Sequence, residues 1–244
     1  MAKQHSQQSK PSDLPKIGAP ATRALTAGGY TRLSQLTKIS EAELLQLHGI
    51  GPKAIRLLRE ALAEVGSSFA GEPKRAALHP LVLQLRFTRS EFLRSIKGVS
   101  EDDARRRVMP MNCLSWNVGH LAWQEQRYFL QFVQGQMLLP AINEHFAFGC
   151  PASTPALKDM LAAWRKITKA ADPWLDTLTP AMLQTHVMQN GQPTARQYGN
   201  LLQRLIYHYW YHTGENMAIR QVLGHEKLTV FVGNIDDQAP YRSE

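Results

Sequence analysis

From Leu81 onward apolar residues recur at three- and four-residue spacing, and strict alternation of apolar and polar residues is absent. That period predicts four long helices. The first covers 80–97 and ends at Gly98; the second covers 115–138 and stops at Pro140. The third covers 154–171, ahead of "DPW", and the fourth covers 195–223, stopped by Gly224. Thr194, with Gln197 three residues later and Pro193 just outside, reads as a capping box opening the fourth. Within 172–193, "TPAMLQTHV" is expected to form a small helix, and "KLTVFVGNIDDQAPYRSE" to lay a short apolar segment on the bundle. The fold class expected is all-α: a small helical domain followed by a four-helix bundle over 80–244.

Ahead of the bundle the pattern changes. Residues 1–12 read as a polar tail, 13–66 as short helices joined by tight turns, and 67–79 as a linker mixing Gly, Pro, Ser and charge. The sharpest local motif is "LHGIGPKAIRLLREAL" (47–62). Gly49 and Gly51 suit a hairpin that needs positive φ or close backbone approach. Pro52 fits a first helical turn, and Lys53 places a cation there. Free N–H groups and the helix dipole make such a terminus attractive to a phosphate, as in a helix-hairpin-helix. A weaker counterpart is "IGAPATRA", and Ser40 with Glu43 forms a second capping box.

Charge sharpens that picture. The 244 residues carry a net charge of +8. Residues 1–80 hold eleven Lys/Arg against six Asp/Glu, and the remainder 17 against 14. The first third is therefore the better nucleic-acid candidate, with a solvated basic face as the alternative. Hydrophobic residues at 43 % and charged residues at 20 % allow a true core and exclude a disordered chain. The two cysteines, Cys113 and Cys150, form no CxxC pair and no disulfide framework, and read as core residues. With no apolar leader and no run of roughly 18 apolar residues, a cytoplasmic location is expected.

Residues 14–64 resemble the C-terminal domain of the bacterial RNA polymerase α subunit. The residues carrying this are "G-x-P-A-T-R-A-L", "AGGYTRLSQL" and "SEAELLQLHGIGPKAI". The resemblance implies paired helix-hairpin-helix units that touch the DNA minor groove and protein partners. It points to Arg23, Gly49, Gly51, Lys53 and Arg56 as contact residues. A helical protein-docking module without nucleic-acid contact is the alternative.

The last long helix carries "YHYWYH", with His208 and His212 four residues apart. Such residues lie about 40° apart on one helix face, so both imidazoles can aim at one point. Leu201, Leu205, Glu215, Ile219 and Leu223 share that face and turn the pair toward the bundle interior. Two ligands do not make a tight divalent-ion site. The second helix offers His120 in "CLSWNVGHLAWQEQRYFL", where periodicity sets it beside a cleft or on a polar face, near Asn117, Gln124 and Arg127. The aromatic residues Trp116, Trp123, Trp210, Tyr207 and Tyr211 read as packing.

"LSWNVGHLAWQEQRYF", "LLQRLIYHYWYHTGENMAIRQVLG" and "RSIKGVSEDDARRRVMP" together resemble the DinB-like (DinB/YfiT) four-helix-bundle metalloproteins over most of 80–224. The resemblance implies one divalent metal ion, zinc, nickel or similar, on His120, His208 and His212. Three protein ligands leave a position for water or substrate. The chemistry implied is that of a metal-dependent hydrolase or a thiol transferase using a low-molecular-weight thiol. Glu125 and Glu215 are candidates to steady the ligands or move protons. A non-enzymatic, polymerase-associated regulator with a structural bundle is the competing reading. The partners this allows are DNA, RNA or RNA polymerase, a small-molecule substrate, a second copy in a homodimer, and no membrane. No H-E-x-x-H, Walker or dinucleotide motif is present.

Overall fold

A computed structural model describes residues 12–72 and 78–241. The chain divides into two compact units between Leu78 and His79. The first contains α1 (Ala19–Ala27), α2 (Leu33–Leu36), α3 (Glu41–Leu45) and α4 (Pro52–Glu64) around Leu25, Leu36, Leu44, Ile55, Leu58 and Phe69. Ser40 caps α3: its Oγ accepts from the Glu43 N–H, and the Glu43 carboxylate accepts from the Ser40 N–H at 2.9 Å. Gly49 has φ +102°, and a Cβ there would lie 3.1 Å from the Pro20 carbonyl oxygen. That position therefore needs glycine twice over, for its backbone and for the close approach of α1. Phe69 is buried in this core, so residues 67–70 belong to the unit rather than to a linker. The rest of the expected linker at 73–77, and the tail at 1–11, lie outside the described residues.

The second unit is mostly α-helical. Its long helices are α5 (Pro80–Ser95), α7 (Leu114–Glu125), α9 (Leu157–Leu175) and α11 (Tyr198–Val222). Short helices α6 (Glu101–Arg105), α8 (Pro140–Phe146), α10 (Pro180–Leu183) and α12 (Ile235–Gln238) fill the connections. α7 packs chiefly on α9, α11 on α5, and α7 also meets α11. The side chain of His79 caps α5 by accepting from the Leu81 N–H. Among the described residues no helix is long and apolar enough to cross a membrane.

Four local expectations need correction. The second helix is not one regular helix to Pro140. α7 widens into a π-helical segment, Gln126–Phe132, and helix ends at Gln134 before Gly135 at φ +66°. Pro140 instead starts α8, where its missing N–H is harmless. The third helix runs through Pro173 to Leu175, because a proline so near the end costs one hydrogen bond while Leu175 still packs in the core.

The capping box at Thr194 does not form. Thr194 and Gln197 lie in β2 (Gln192–Gln197), which pairs antiparallel with β1 (His186–Gln189), and α11 begins at Tyr198. The turn is Asn190-Gly191, both at positive φ (51° and 75°), which matches the twist of a two-residue hairpin. Finally, of the two places expected for His120 the structure has the cleft and not the polar face: it borders a cavity, while every residue of α7 is buried among α6, α8, α9 and α11.

One buried polar cluster ties the four long helices together. Arg89 of α5 donates through Nε and Nη2 to the two oxygens of Glu125 on α7, both at 2.6 Å. Its Nη1 donates to Asp172 on α9 at 2.7 Å. Tyr209 of α11 donates to Glu125 at 2.8 Å and accepts from Trp164 Nε1 at 2.6 Å. Burial would expel the guanidinium charge, yet the facing Glu125 carboxylate holds Arg89 above the ordinary arginine range. Removing one member would strand another's charge in the core. The cluster thereby fixes how α7 sits against α11.

Candidate metal centre

α7 and α11 each contribute to one cluster of imidazoles. His120, His208 and His212 offer ligand nitrogens that all lie within 4.8 Å of one another. The Nε2 atoms of His208 and His212 are 3.0 Å apart. Two nitrogens on a tetrahedral ion at about 2.05 Å stand about 3.3 Å apart, so small side-chain shifts suffice for binding.

The tautomers are set by acceptors that can only accept. His120 Nδ1 lies 2.7 Å from the Phe146 carbonyl oxygen, so it must carry the proton, leaving a lone pair on Nε2. His212 Nδ1 lies 2.7 Å from Glu215 Oε2 and is protonated for the same reason. His208 can then donate from Nε2 to His212, which leaves its own buried Nδ1 without a partner. Three converging imidazole nitrogens with a single proton, that of His208, between them suit a cation better than they suit a packed core.

The surroundings hold these rings in place. Trp116 stacks on one side of His120 at 4.8 Å and Trp123 on the other at 5.1 Å. Glu215 also accepts from Asn117 Nδ2 at 2.9 Å, and Asn117 continues through Asn216 to Ser95 of α5. Gly119 lets Phe146 come close: a Cβ there would stand 2.6 Å from its Cδ1. Burial lowers the pKa of His120 to about 4, with nearby His212 adding to the shift. Burial, then His212 and His120, lowers His208 to about 3. Both rings are therefore neutral near pH 7, as ligands must be.

A model of the DinB superfamily matches residues 84–215, more than half of the chain. The chain belongs to the DinB superfamily. A search of curated proteins found no match. DinB-superfamily domains are typically metal-binding, and the three histidines of this bundle could hold a metal ion.

Other sequence candidates are placed as follows. Glu215 sits on His212. Glu125 does not reach the imidazoles, because Arg89 and Tyr209 occupy its oxygens. Tyr207 and Tyr211 are each 69 % exposed, so neither is a core residue, although the Tyr211 ring stands edge-on to His212 at 5.1 Å; Trp210 packs against Phe87 and Phe231. Cys113 is buried, whereas half-buried Cys150 lines a cavity of about 500 Å³ together with Trp116, Tyr211 and the three histidines. A second cavity, of about 390 Å³, borders His120 and His208. Sequence reasoning passed over Phe146, whose carbonyl acts through no side-chain signal, and Arg204, whose four-residue spacing from His208 was legible.

In the first unit Arg23, Lys53 and Arg56 are exposed, and Arg56 pairs with Glu60 at 2.8 Å. Gly51 is the N-cap of α4, whose first turn holds no acidic residue. Gly49 serves the contact with Pro20.

Proposed function

We propose that the bundle holds one divalent metal ion, zinc, nickel or similar, on His120, His208 and His212. It uses the remaining coordination position to activate a small molecule, as a metal-dependent hydrolase or a thiol transferase. The observation that carries the reading is the convergence of three imidazoles, two buried and one half-buried, with acceptors that keep the His120 and His212 protons on the nitrogens facing away from the common point. An ion held by three neutral imidazoles, when bound, acidifies a water or thiol in its open position.

The chain's own groups do the rest. The Phe146 carbonyl and the Glu215 carboxylate hold the His120 and His212 rings in orientation and keep their tautomers. Trp116 and Trp123 keep water from the faces of His120. Glu215 acts as a positioning residue; Glu125 belongs to the helix-tying cluster instead.

Cobalt substitution tests this proposal. The Co(II) protein is expected to show the visible bands of a low-coordinate site, lost in His208→Ala. A low-molecular-weight thiol that adds a sulfur-to-cobalt charge-transfer band selects the transferase. Octahedral, weak bands identical in wild type and His208→Ala would overturn the site and leave the non-enzymatic reading.

For the first unit we propose contact with the phosphate backbone of DNA or RNA, or docking on RNA polymerase. The support is α4, which follows its N-cap Gly51 with exposed Lys53 and no carboxylate in its first turn. Backbone contact of this kind supplies affinity with little sequence choice.

A further inference from the structure

We propose that the molecule taken up beside the three histidines is an anion bearing a carboxylate or phosphate, gripped by Arg127, Arg196 and Arg204. The proposal rests on the metal reading and names the substrate class for it. These three arginines line the cavity of about 390 Å³ whose wall includes His120 and His208, and no Asp or Glu lines it. They arrive from three elements: Arg127 from the π-helical segment, Arg196 from β2, and Arg204 from α11 one turn ahead of His208.

Arg56, Arg59, Arg86, Arg89, Arg94 and Arg106 each have a carboxylate partner. Like several other arginines of this chain, Arg127, Arg196 and Arg204 lack a carboxylate partner among the described residues. Arg127 is half-buried and held over the rings of Trp123 and Phe132, at 5.2 and 5.1 Å. That contact orients its fork without neutralising it.

The charge balance points the same way. Three neutral imidazoles bring no negative charge to a divalent ion, and among the described residues the Glu215 carboxylate is the single one bonded to the triad. A dication and three guanidiniums against one carboxylate make an incoming anion the natural complement. Planar guanidinium forks match carboxylates and phosphates in particular. The cavity volume suits a small molecule, and Trp123, Tyr128 and Phe148 in its wall suit one with an apolar or ring body. Arg196 and Arg204 also face a second concavity, of about 490 Å³, with Asn200, Gln203 and Tyr207. Polar donors thus continue outward from the metal ligands.

Calorimetric titration of the full-length protein tests the proposal, with zinc content measured before each run. The probes are phenyl phosphate and phthalate, with phenol as the neutral control. In zinc-loaded protein at least one anion is expected to bind ten or more times more tightly than phenol, and the stronger of the two names the anion class. The double variant Arg196→Gln/Arg204→Gln, both positions being exposed, is expected to keep its zinc and lose at least tenfold in anion affinity. Phenol binding within threefold of both anions, or unchanged anion affinity in the double variant at full zinc content, overturns the proposal. If zinc does not load, the metal reading fails by itself. The same titrations on metal-free protein then still decide the arginines: anion binding weakened by the double variant upholds them, and any other result rejects them.

Discussion

Gly119→Ala probes both the packing of the bundle and the support of the metal ligands. An added Cβ would meet Phe146 Cδ1 at 2.6 Å and Met160 Sδ at 2.8 Å. Met160 is flexible and can turn away, but the Phe146 ring belongs to α8, whose backbone must move for it to yield. Overpacking of this size costs roughly 1–3 kcal/mol. Alanine in a helix interior returns about 0.5–1 kcal/mol relative to glycine. The net expectation is a loss of about 1–2 kcal/mol. All five tryptophans lie in the bundle, so their fluorescence during urea unfolding follows this unit alone. With a slope of about 2 kcal/mol per molar, the midpoint should fall by roughly 0.5–1 M. The displaced Phe146 carbonyl also releases His120 Nδ1, so zinc affinity should fall about 10- to 100-fold in a chelator competition. An unchanged or raised midpoint would refute the packing argument. A lowered midpoint with undiminished zinc affinity would refute the link from Phe146 to the ligand.

Glu125→Gln should destabilise the bundle by about 3–5 kcal/mol in the same urea assay, because it strands the buried Arg89 charge. Tyr209→Phe should cost less, about 1–3 kcal/mol, since it leaves only the Trp164 N–H without its acceptor. In metal-free protein the unfolded chain takes up a proton at His120 near pH 6.5, and the folded protein only near pH 4. The folded state then binds fewer protons in that window, so stability should fall as pH drops from about 6.5 to 4. The loss at His120 alone is about 3 kcal/mol; thermal unfolding across that range checks it, and a flat profile would contradict it. Lys53→Glu should weaken salt-dependent DNA binding by residues 1–244 and flatten its salt slope; an unaltered slope leaves protein docking for the first unit.

The period of apolar residues exposed the long helices because each buries a face, and His208 and His212 were readable because four residues bring them onto one such face. His120 was only half readable that way: periodicity set it beside a cleft or on a polar face, and because every residue of α7 is buried only the cleft exists. The hairpin at Asn190-Gly191 was hidden because only Val187 of β1 is buried, which leaves no alternation, although the Asn-Gly pair itself signals the turn. Pro140 looked like a stop and was a start, since a proline ends one helix and opens another equally well. The roles of Glu125 and the Phe146 carbonyl depend on contacts across 36 and 26 residues, beyond any local pattern.

Metal analysis of the purified protein and its His120→Ala, His208→Ala and His212→Ala variants, each checked for retained helical circular dichroism, bears most directly on the metal centre. One equivalent of divalent metal in the wild type, falling below about a tenth in each folded variant, is the predicted result. Full stoichiometric metal in all three folded variants, or none in the wild type after zinc reconstitution, would contradict it.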